Sequence, residues 1–302
     1  MTREELNHEK QQEIINEHRR NNRKKITLFI FCLSICLICG FLLFYLYTTY
    51  ISTSRLVVKE NRIVDKNLPN SFNGLKVVHF SDLHYGTTVF SDEVKRLVTS
   101  INERKPDIVI FSGDLIDLSY KLSTSEQESL IAQLKGIDSS LGKYAVSGEE
   151  DTELFYTIMK QSDFNIIENS YDFIYNDNNE PIMLIGLENN SNNTIDVKLF
   201  EQINTPNRHI YKIMVMHKPD VFDKLPKELS VNLVLAGHTH NGMVRLPFIG
   251  SVYHPEDINK YIDEYYKIGS SHLYISSGIG TNGPGFRLFC RPSFNFFRIS
   301  NR

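Results

Sequence analysis

Five short apolar runs in this chain of 302 residues each end in a cluster of acidic or histidine side chains, and no other feature constrains the fold as strongly. Their branched and aromatic composition is typical of β-strands. Because helical or turn-like stretches follow them, the pattern predicts an α/β fold whose strand ends carry the ligands. The clusters are Asp82-Leu83-His84, Gly113-Asp114-Leu115-Ile116-Asp117, Ser147-Gly148-Glu149-Glu150-Asp151, His217-Lys218-Pro219-Asp220 and Gly237-His238-Thr239-His240.

Carboxylate and imidazole groups at one sheet edge are a ligand set for divalent metal ions. One such cluster is a weak signal, since an Asp at a strand end usually caps the next helix and a lone His is usually structural. Five clusters in succession favour a site for two divalent ions. Mixed oxygen and nitrogen ligands suit Mn²⁺, Zn²⁺ or Fe, and the residues do not choose among these metals.

Apolar periodicity predicts the elements between the clusters. Residues 92–102 and 127–134 have helical spacing, and residues 181–187 read as a strand. Residues 273–276 and 294–299 are interpreted as strands of a second sheet. His79, inside the first apolar run, is expected to be a buried structural residue, whereas Arg287 is assigned to an ion pair, with contact to a phosphate as the alternative.

An uncharged run at residues 26–47 is long and apolar enough to cross a bilayer as one helix. It predicts a polar tail at 1–25, a transmembrane helix at 26–47, a linker at 48–54 and a folded domain at 55–302. A cleaved signal peptide is the rival interpretation. It is less favoured because a long polar segment precedes the run and residues 52–54 make a poor cleavage site.

Charge indicates the orientation of the predicted span and argues against nucleic acid as a partner. Five basic residues crowd the segment 19–25, which favours a cytoplasmic N-terminus and an extracytoplasmic domain in the cell membrane. Residues 1–25 have seven basic and five acidic side chains, so a chain of net charge −3 has −5 on the remainder. No basic run or aromatic platform for nucleic acid is present there.

The order and spacing of the five clusters resemble those of the calcineurin-like metallophosphoesterases, from about residue 56 to the C-terminus. The resemblance implies a four-layer αββα sandwich of two facing sheets. It also implies that Asp82, His84 and His240 hold a first metal ion and that Asp114 bridges both ions. His217 and His238, with Glu149, would then hold the second ion.

One cluster departs from the family pattern, which has Asn and His where this chain has Glu149 and Glu150. A carboxylate at position 149 is still a good metal ligand, but it lowers the net charge of the site by one unit. One unit charge near 4 Å is worth about 4 kcal/mol at an effective dielectric of 20. Glu150 lacks the positive charge of an imidazole and protonates a leaving group only if burial raises its pKa.

The resulting hypothesis is a membrane-anchored phosphoesterase in which a hydroxide bridging two metal ions attacks a phosphoester or phosphoanhydride. Glu150, Asp114 and Asp151 are the candidate catalytic residues. The substrate is expected to be a phosphorylated small molecule or a lipid-linked phosphate with a good leaving group. The alternative is a metal-binding homologue with little or no activity that serves as a ligand-binding or regulatory ectodomain, and a secreted nuclease ranks third.

Overall fold

The computed structural model describes residues 3–176, 180–189, 197–204, 210–226, 228–253, 260–283 and 285–302. The chain divides into two compact units, Met1–Thr48 and Thr49–Arg302.

The first unit consists of one long helix, α1 (Arg3–Leu46). Among the described residues, the helical stretch Lys10–Ser54 is the one whose length and composition would allow it to cross a membrane, with a mean hydropathy of 2.8 over its most apolar window. Helical structure therefore begins well before the apolar run at 26–47. It also continues through the predicted linker as a π-helix, Tyr47–Ile51, and a short helix α2, Ser52–Ser54.

As far as the structure describes it, the second unit has four α-helices after α2 and two 3₁₀ turns. The predicted helices at 92–102 and 127–134 are confirmed within α3 (Ser91–Glu103) and α4 (Thr124–Lys135). Ser123 and Glu126 begin α4 with a capping box, in which the Glu126 carboxylate accepts the Ser123 backbone N–H at 2.9 Å. The helices are α3 (Ser91–Glu103), α4 (Thr124–Lys135), α5 (Glu153–Gln161) and α6 (Val197–Ile203), and the 3₁₀ turns are Asn70–Phe72 and Pro219–Lys224.

In the described residues of the second unit, fourteen strands form two six-stranded sheets and a small hairpin. The first sheet has the order β1-β14-β2-β3-β4-β5, the second has the order β12-β13-β9-β8-β7-β6, and β10 pairs with β11. The strands are β1 (Val57–Val64), β2 (Leu75–Phe80), β3 (Ile108–Ser112), β4 (Gly142–Val146), β5 (Asn165–Ile166), β6 (Ser170–Ile174), β7 (Ile182–Gly186), β8 (Lys212–Val215), β9 (Leu233–Ala236), β10 (Val244–Leu246), β11 (Gly250–Tyr253), β12 (Tyr265–Ile268), β13 (Ser271–Ile275) and β14 (Ser293–Ser300).

The assignment of residues 294–299 to the second sheet was wrong. These residues form β14, which lies in the first sheet between β1 and β2, whereas residues 273–276 overlap β13 of the second sheet. Both strands are apolar because both are buried, so their composition does not distinguish the sheets. The distinction comes from backbone pairing, which is antiparallel between β14 and β2.

The two large sheets face each other with helices outside them, so the predicted α/β fold with two facing sheets is confirmed. Side chains that alternate along a strand enter different cores. In β2, Val78 packs with helices α3 to α5, whereas Val77 packs between the sheets against residues such as Ile213. A third core lies on the other face of the second sheet, where Met214 and Val234 belong to the same buried cluster as Leu199 and Ile203 of α6.

The directions of the strands place the start of β1 at the edge of the first sheet where β2 ends, which is the edge that carries the predicted metal ligands. Strand β1 runs parallel to β14, with Val57 opposite Ser293. Strand β14 runs antiparallel to β2, with Asn295 opposite His79 near the end of β2. Val57 therefore lies at the edge where β2 ends, and Val64 lies at the opposite edge.

Candidate metal centre

The carboxyl ends of strands from both sheets bring the predicted ligands together. Asp82 and His84 follow β2, Asp114 follows β3, and His217 and His238 follow β8 and β9. Backbone hydrogen bonds join neighbouring strand ends within each sheet. The N–H of Asp82 donates to Gly113 at 2.8 Å, and the N–H of Gly237 donates to His217 at 3.0 Å.

Five of the seven predicted metal ligands have left-handed backbone conformations. This region is rarely occupied by residues other than glycine and costs about 1–3 kcal/mol each. Such conformations persist only where the surrounding structure holds them, and they cluster at functional sites. The φ angles are 50° for Asp82, 39° for His84, 60° for Asp114, 68° for His238 and 50° for His240.

Two glycines allow the backbone to pass close to the ligands. Gly113 has a φ of 97°, and a Cβ there would lie 2.7 Å from His217 Nδ1. Gly278 has a φ of 70°, and a Cβ there would lie 2.7 Å from His240 Nδ1. A side chain at either position would displace an imidazole, so the glycines are needed for both conformation and space.

The first ligand group consists of Asp82, His84 and His240, all buried, whose candidate ligand atoms lie within 4.8 Å of one another. The two imidazole rings stack with centroids 5.1 Å apart, and their Nε2 atoms are separated by 3.2 Å. The Oδ1 atom of Asp82 lies 3.5 Å from His240 Nε2. Two nitrogens and a carboxylate oxygen thus converge on one point in a buried environment.

The second ligand group consists of Asp114, His217 and His238, which are also buried. His217 Nδ1 contacts the backbone oxygen of Ser112 at 2.7 Å, and a backbone carbonyl can only accept a hydrogen bond. Nδ1 is therefore the protonated nitrogen, which leaves Nε2 with a lone pair for a ligand. Nε2 is buried, lies 3.2 Å from Asp114 Oδ2, and has no hydrogen bond of acceptable geometry.

Asp114 lies between the two groups. Its Oδ2 atom is 3.7 Å from His84 Nε2 in the first group and 3.2 Å from His217 Nε2 in the second. Its other oxygen accepts a hydrogen bond from the backbone N–H of Glu150 at 3.0 Å. One carboxylate oxygen therefore faces imidazoles of both groups while the other fixes the side chain.

Burial and the charges of neighbouring side chains set the pKa values of the carboxyl and imidazole groups in the centre. Burial opposes ionisation of Asp114, but the charge and contact of His217 outweigh it and hold the Asp114 pKa well below its usual range. Burial also opposes the charged form of His217, yet Asp114 raises the pKa of His217 to about 10. For His240, burial and then the charges of His84 and Arg287 lower the pKa. Cationic charge is thus favoured near Asp114 and disfavoured at His240.

Glu149 contacts the second group but is shared with a lysine. Its Oε1 atom lies 3.2 Å from His238 Nδ1, and its Oε2 atom lies 2.5 Å from Lys218 Nζ. The Glu149 side chain is 36% exposed, in contrast to the buried ligands. Lys218 places a positive charge directly beside this carboxylate, so the negative charge of Glu149 is offset locally.

Glu150 lies beside the first group. Its Oε2 atom is 3.2 Å from His84 Nδ1, and its Oε1 atom accepts a hydrogen bond from Asn282 at 2.9 Å. Together with His84 and Asp117 it forms a third cluster with candidate ligand atoms within 4.8 Å of one another. Although burial favours neutral His84, the contact with Glu150 and the charge of Asp114 raise the His84 pKa.

Asp151 lies beneath the centre and is not part of the three clusters found in the described residues. Its carboxylate accepts backbone hydrogen bonds from Asp114 at 2.8 Å, Leu115 at 2.8 Å and Gly148 at 2.7 Å. Burial, followed by the charge of Asp114, raises its pKa to about 7. The observed contacts connect the turn after β3 to the turn after β4.

Arg287 is completely buried behind His240, and its contacts differ from the expected ion pair. The guanidinium donates to the backbone oxygens of Ser277 at 2.8 Å and Gly278 at 3.2 Å, and also to Gly280. Its Nη2 atom lies 3.3 Å from His240 Nδ1. Within the described residues, the Nη atoms of this side chain donate to carbonyl oxygens rather than to a carboxylate, and its buried Nε atom has no hydrogen-bond partner.

Sequence reasoning did not identify Lys218, Ser112 or Asn282 as parts of the site. Lys218 directly follows the predicted ligand His217 in the sequence, and this position was the signal that could have indicated it. Ser112 contributes a backbone oxygen, which no side-chain pattern reveals. Asn282 lies 132 positions from the Glu150 that it contacts, so only the fold joins them.

The donor set fits two metal ions. Each buried group offers one carboxylate and two imidazoles, a combination that suits Mn²⁺, Zn²⁺ or Fe. The buried Nε2 atom of His217 lacks a hydrogen-bond partner, and two Nε2 atoms approach each other closely in the first group. A cation among these atoms explains both observations.

Comparison with known proteins agrees with this chemistry. The family model "Calcineurin-like phosphoesterase" matches residues 75–242, which is more than half of the chain. The chain belongs to this family. Members are metal-dependent, so candidate metal binding at the two groups has support from both homology and geometry.

Three proteins from different organisms are similar in sequence to this calcineurin-like phosphoesterase. It is 27% identical over 262 residues to "Uncharacterized metallophosphoesterase YkuE" of Bacillus subtilis, covering 85% of this chain and 90% of the relative. It is 25% identical over 228 residues to "Phosphodiesterase YaeI" of Escherichia coli, covering 74% and 82%. It is 27% identical over 255 residues to "Transmembrane protein with metallophosphoesterase domain" of Danio rerio, covering 78% and 55%.

Proposed function

We propose that this protein is a membrane-anchored hydrolase of phosphodiesters or phosphoanhydrides that uses two divalent metal ions. The observation that carries the proposal is the position of Asp114, whose Oδ2 atom faces His84 of the first ligand group and His217 of the second. A carboxylate shared by two nitrogen-rich groups is suited to a pair of ions. The relative named as a phosphodiesterase supports the same bond type.

The ligand groups would hold one ion each, with Asp82, His84 and His240 around the first and Asp114, His217 and His238 around the second. When bound, such a pair of ions supplies an activated water and neutralises charge on the phosphoryl group. The protein's own contribution is to position the ligands before substrate arrives. Asp151 accepts two backbone hydrogen bonds from the Asp114 turn and one from Gly148, which joins that turn to the turn after β4. The backbone oxygen of Ser112 fixes the proton of His217 on Nδ1.

Lys218 keeps the second group attractive to an anionic substrate despite Glu149. The ammonium group and the carboxylate are 2.5 Å apart, so their charges largely cancel at the distance of a bound phosphate. The charge deficit expected from Glu149 is therefore met by a neighbouring side chain, with no need for an ion of higher charge.

Glu150 acts in this proposal as a positioning residue. A carboxylate 3.2 Å from His84 Nδ1 favours the proton on that nitrogen and leaves Nε2 for a ligand. A histidine at position 150 would supply a proton donor instead. The protein should therefore favour substrates whose leaving groups need no protonation, such as aryl esters and anhydrides.

The test is hydrolysis by the full chain in detergent, with Mn²⁺, Zn²⁺ or Fe, of a bis-aryl phosphate, an aryl phosphate, a nucleoside diphosphate ester and an alkyl monoester. We expect turnover of the first three and little turnover of the alkyl monoester. Glu150→His should raise the alkyl monoester rate. Equal wild-type rates on aryl and alkyl esters would refute the bias toward good leaving groups.

A metal-binding protein with little activity is the second candidate, and Lys218 is the observation that favours it. By occupying Glu149 Oε2, the lysine competes with a metal ion for that oxygen. Two bound metal ions per chain without turnover on any of the four substrates would select this candidate. The wild-type metal content therefore has to be measured on the same sample as the activity.

The anchor is the apolar helix, with the N-terminus in the cytoplasm and the domain outside. Length and composition of α1 and the basic residues before the apolar run support this orientation. Protease added to intact cells should then degrade the domain and spare the N-terminal tail. Protection of the domain until the membrane is permeabilised would reverse the orientation.

A further inference from the structure

A group of apolar side chains is exposed on the segments that follow the metal centre. The tip of the β10–β11 hairpin presents a fully exposed Phe248 and an Ile249 that is 72% exposed. Phe289, 60% exposed, lies on the segment next to this hairpin, because the backbone N–H of Arg245 donates to Leu288 at 2.9 Å. We call these side chains the apolar tip, which consists of Phe248, Ile249, Val252, Phe286 and Phe289.

Two aromatic residues of the apolar tip are held in unfavourable backbone conformations. Phe248 has a φ of 68° and Phe289 has a φ of 53°, a region that bulky side chains rarely occupy. A soluble surface gains nothing from strained backbone that projects aromatic rings into water. Exposed apolar groups of this kind mark a surface that contacts another apolar phase or a partner.

The apolar tip is connected to the edge at which the chain enters the domain. Val57, the first residue of β1, donates its backbone N–H to Pro292 at 2.9 Å, three residues after Phe289. The same edge carries the metal ligands, since β2 ends there. The apolar tip, the metal centre and the entry of the chain are therefore linked at one end of the first sheet.

The chain that joins the proposed membrane span to this edge is short. From residue 47, the end of the apolar run, to Val57 the chain spans at most about 35 Å when fully extended, and residues 47–54 are helical, which shortens it. Arg55 and Arg291 are exposed beside the entry point, where cationic side chains suit anionic lipid headgroups.

We propose that the apolar tip inserts into the bilayer interface as a second membrane contact and holds the metal-bearing edge of the domain against the lipid surface. The inference rests on the membrane anchor of the proposed function. A bilayer is the occupant favoured over a second copy of the chain because the covalent span brings every molecule to the membrane.

The absence of tryptophan from the sequence makes a direct test available. Three single-tryptophan variants of the full chain are reconstituted in vesicles of phosphatidylethanolamine and phosphatidylglycerol with brominated acyl chains. Ile249→Trp reports on the apolar tip, and Leu37→Trp reports on the span. Val64→Trp is the matched control, because Val64 is exposed at the other end of β1, about 23 Å from Val57 at the rise of a β-strand.

We expect brominated lipid to quench Ile249→Trp and Leu37→Trp strongly and to leave Val64→Trp unquenched. Emission from Ile249→Trp should also shift to the blue only when lipid is present. Hydrolysis of a soluble aryl diester, measured on the same variants, should stay within twofold of wild type, since none of the three positions belongs to the metal centre.

If lipid quenches Leu37→Trp but not Ile249→Trp, the proposed membrane contact of the apolar tip is overturned. The proposed hydrolase activity is unaffected by that result. A blue shift of Ile249→Trp in detergent that deepens with protein concentration, without quenching by lipid, would assign the apolar tip to contact between two copies and also overturn it. If lipid does not quench Leu37→Trp, the proposed membrane anchor is refuted. The proposed membrane contact of the apolar tip, which depends on the anchor, is then refuted as well.

Discussion

The two ligand groups have the same composition, one carboxylate and two imidazoles, but different surroundings. The first group is closed from behind by the buried guanidinium of Arg287, which lies 3.3 Å from His240 Nδ1. In the second group, His217 contacts the neutral backbone oxygen of Ser112 on one side. On the other side the group faces the partly exposed ion pair of Glu149 and Lys218. Burial, followed by the charges of His84 and Arg287, lowers the pKa of His240, whereas Asp114 raises the pKa of His217 to about 10 despite burial.

This difference indicates different tasks. The first group is pre-organised as a metal ligand set, since burial and a fixed cation disfavour protonation of His240. The second group can exchange cationic partners, because protonated His217 and Lys218 can balance the same acidic side chains that a metal ion would balance. We therefore expect tight metal binding at the first group and weaker, more adjustable binding at the second.

The largest expected loss of activity comes from replacing Asp114, the carboxylate that faces both ligand groups. Asp114→Asn should lower kcat/KM by more than about 100-fold, which exceeds the loss caused by a partner that only supports a ligand. Both metal equivalents should weaken together, because Asp114 Oδ2 faces both groups. Metal content by mass spectrometry after dialysis is the measurement. Loss of one equivalent alone would show that Asp114 belongs to a single group.

The next effect is specific to the first group. Arg287→Met removes the hydrogen bonds to the carbonyls of Ser277, Gly278 and Gly280 behind His240. Because these bonds hold the backbone against which the His240 ring packs, their loss should weaken the first metal ion by about 10–100-fold, the range for loss of a group that orients a ligand. The second ion should bind as in wild type. Calorimetric titration separates the two, with Arg287→Lys as the charge-conserving control. Equal weakening of both ions in Arg287→Met would contradict the separation of the groups.

A smaller effect should appear at the second group. Lys218→Met exposes the charge of Glu149 and should raise the KM for an aryl phosphate about tenfold, equivalent to roughly 1.4 kcal/mol. This is below the value for a buried pair because Glu149 is one-third exposed.

The matched control for Lys218→Met is the double variant with Glu149→Asn, which removes both charges and should restore the wild-type KM. An unchanged KM in Lys218→Met, or no recovery in the double variant, would show that the two side chains do not compensate each other.

The smallest effect concerns His79, whose Nε2 lies 2.8 Å from the Ser112 hydroxyl behind the second group. Burial lowers the His79 pKa to about 3, so between pH 6.5 and 3 the unfolded chain takes a proton that the folded chain does not. Stability should fall as pH falls across this window, by up to about 1.4 kcal/mol per unit for this residue.

His79→Gln removes that contribution, so the free energy of unfolding should fall less steeply with pH than in wild type. Urea unfolding of the metal-free full chain in detergent at pH 7, 6, 5 and 4 is the measurement. Parallel pH profiles for the two proteins would mean that His79 gains a proton in the folded state.

Local sequence was sufficient for much of the fold. Strand-forming runs, helical periodicity at 92–102 and 127–134 and the long apolar segment depend on neighbouring residues alone, and the structure contains each of these elements. The sheet that contains residues 294–299 was assigned wrongly, since pairing of β14 with β2 joins residues more than two hundred positions apart. Composition reports burial but not the identity of the neighbouring strand.

The sequence by itself determined which side chains end the strands, because the alternation of apolar run and acidic or histidine cluster is local. Tertiary structure alone decided how their charges are balanced. Lys218 meets Glu149, Arg287 lies behind His240, and Asn282 holds Glu150, and each contact depends on distances between atoms that lie on separate segments of the chain. Electrostatic energy varies with separation and burial, and both are properties of the folded molecule.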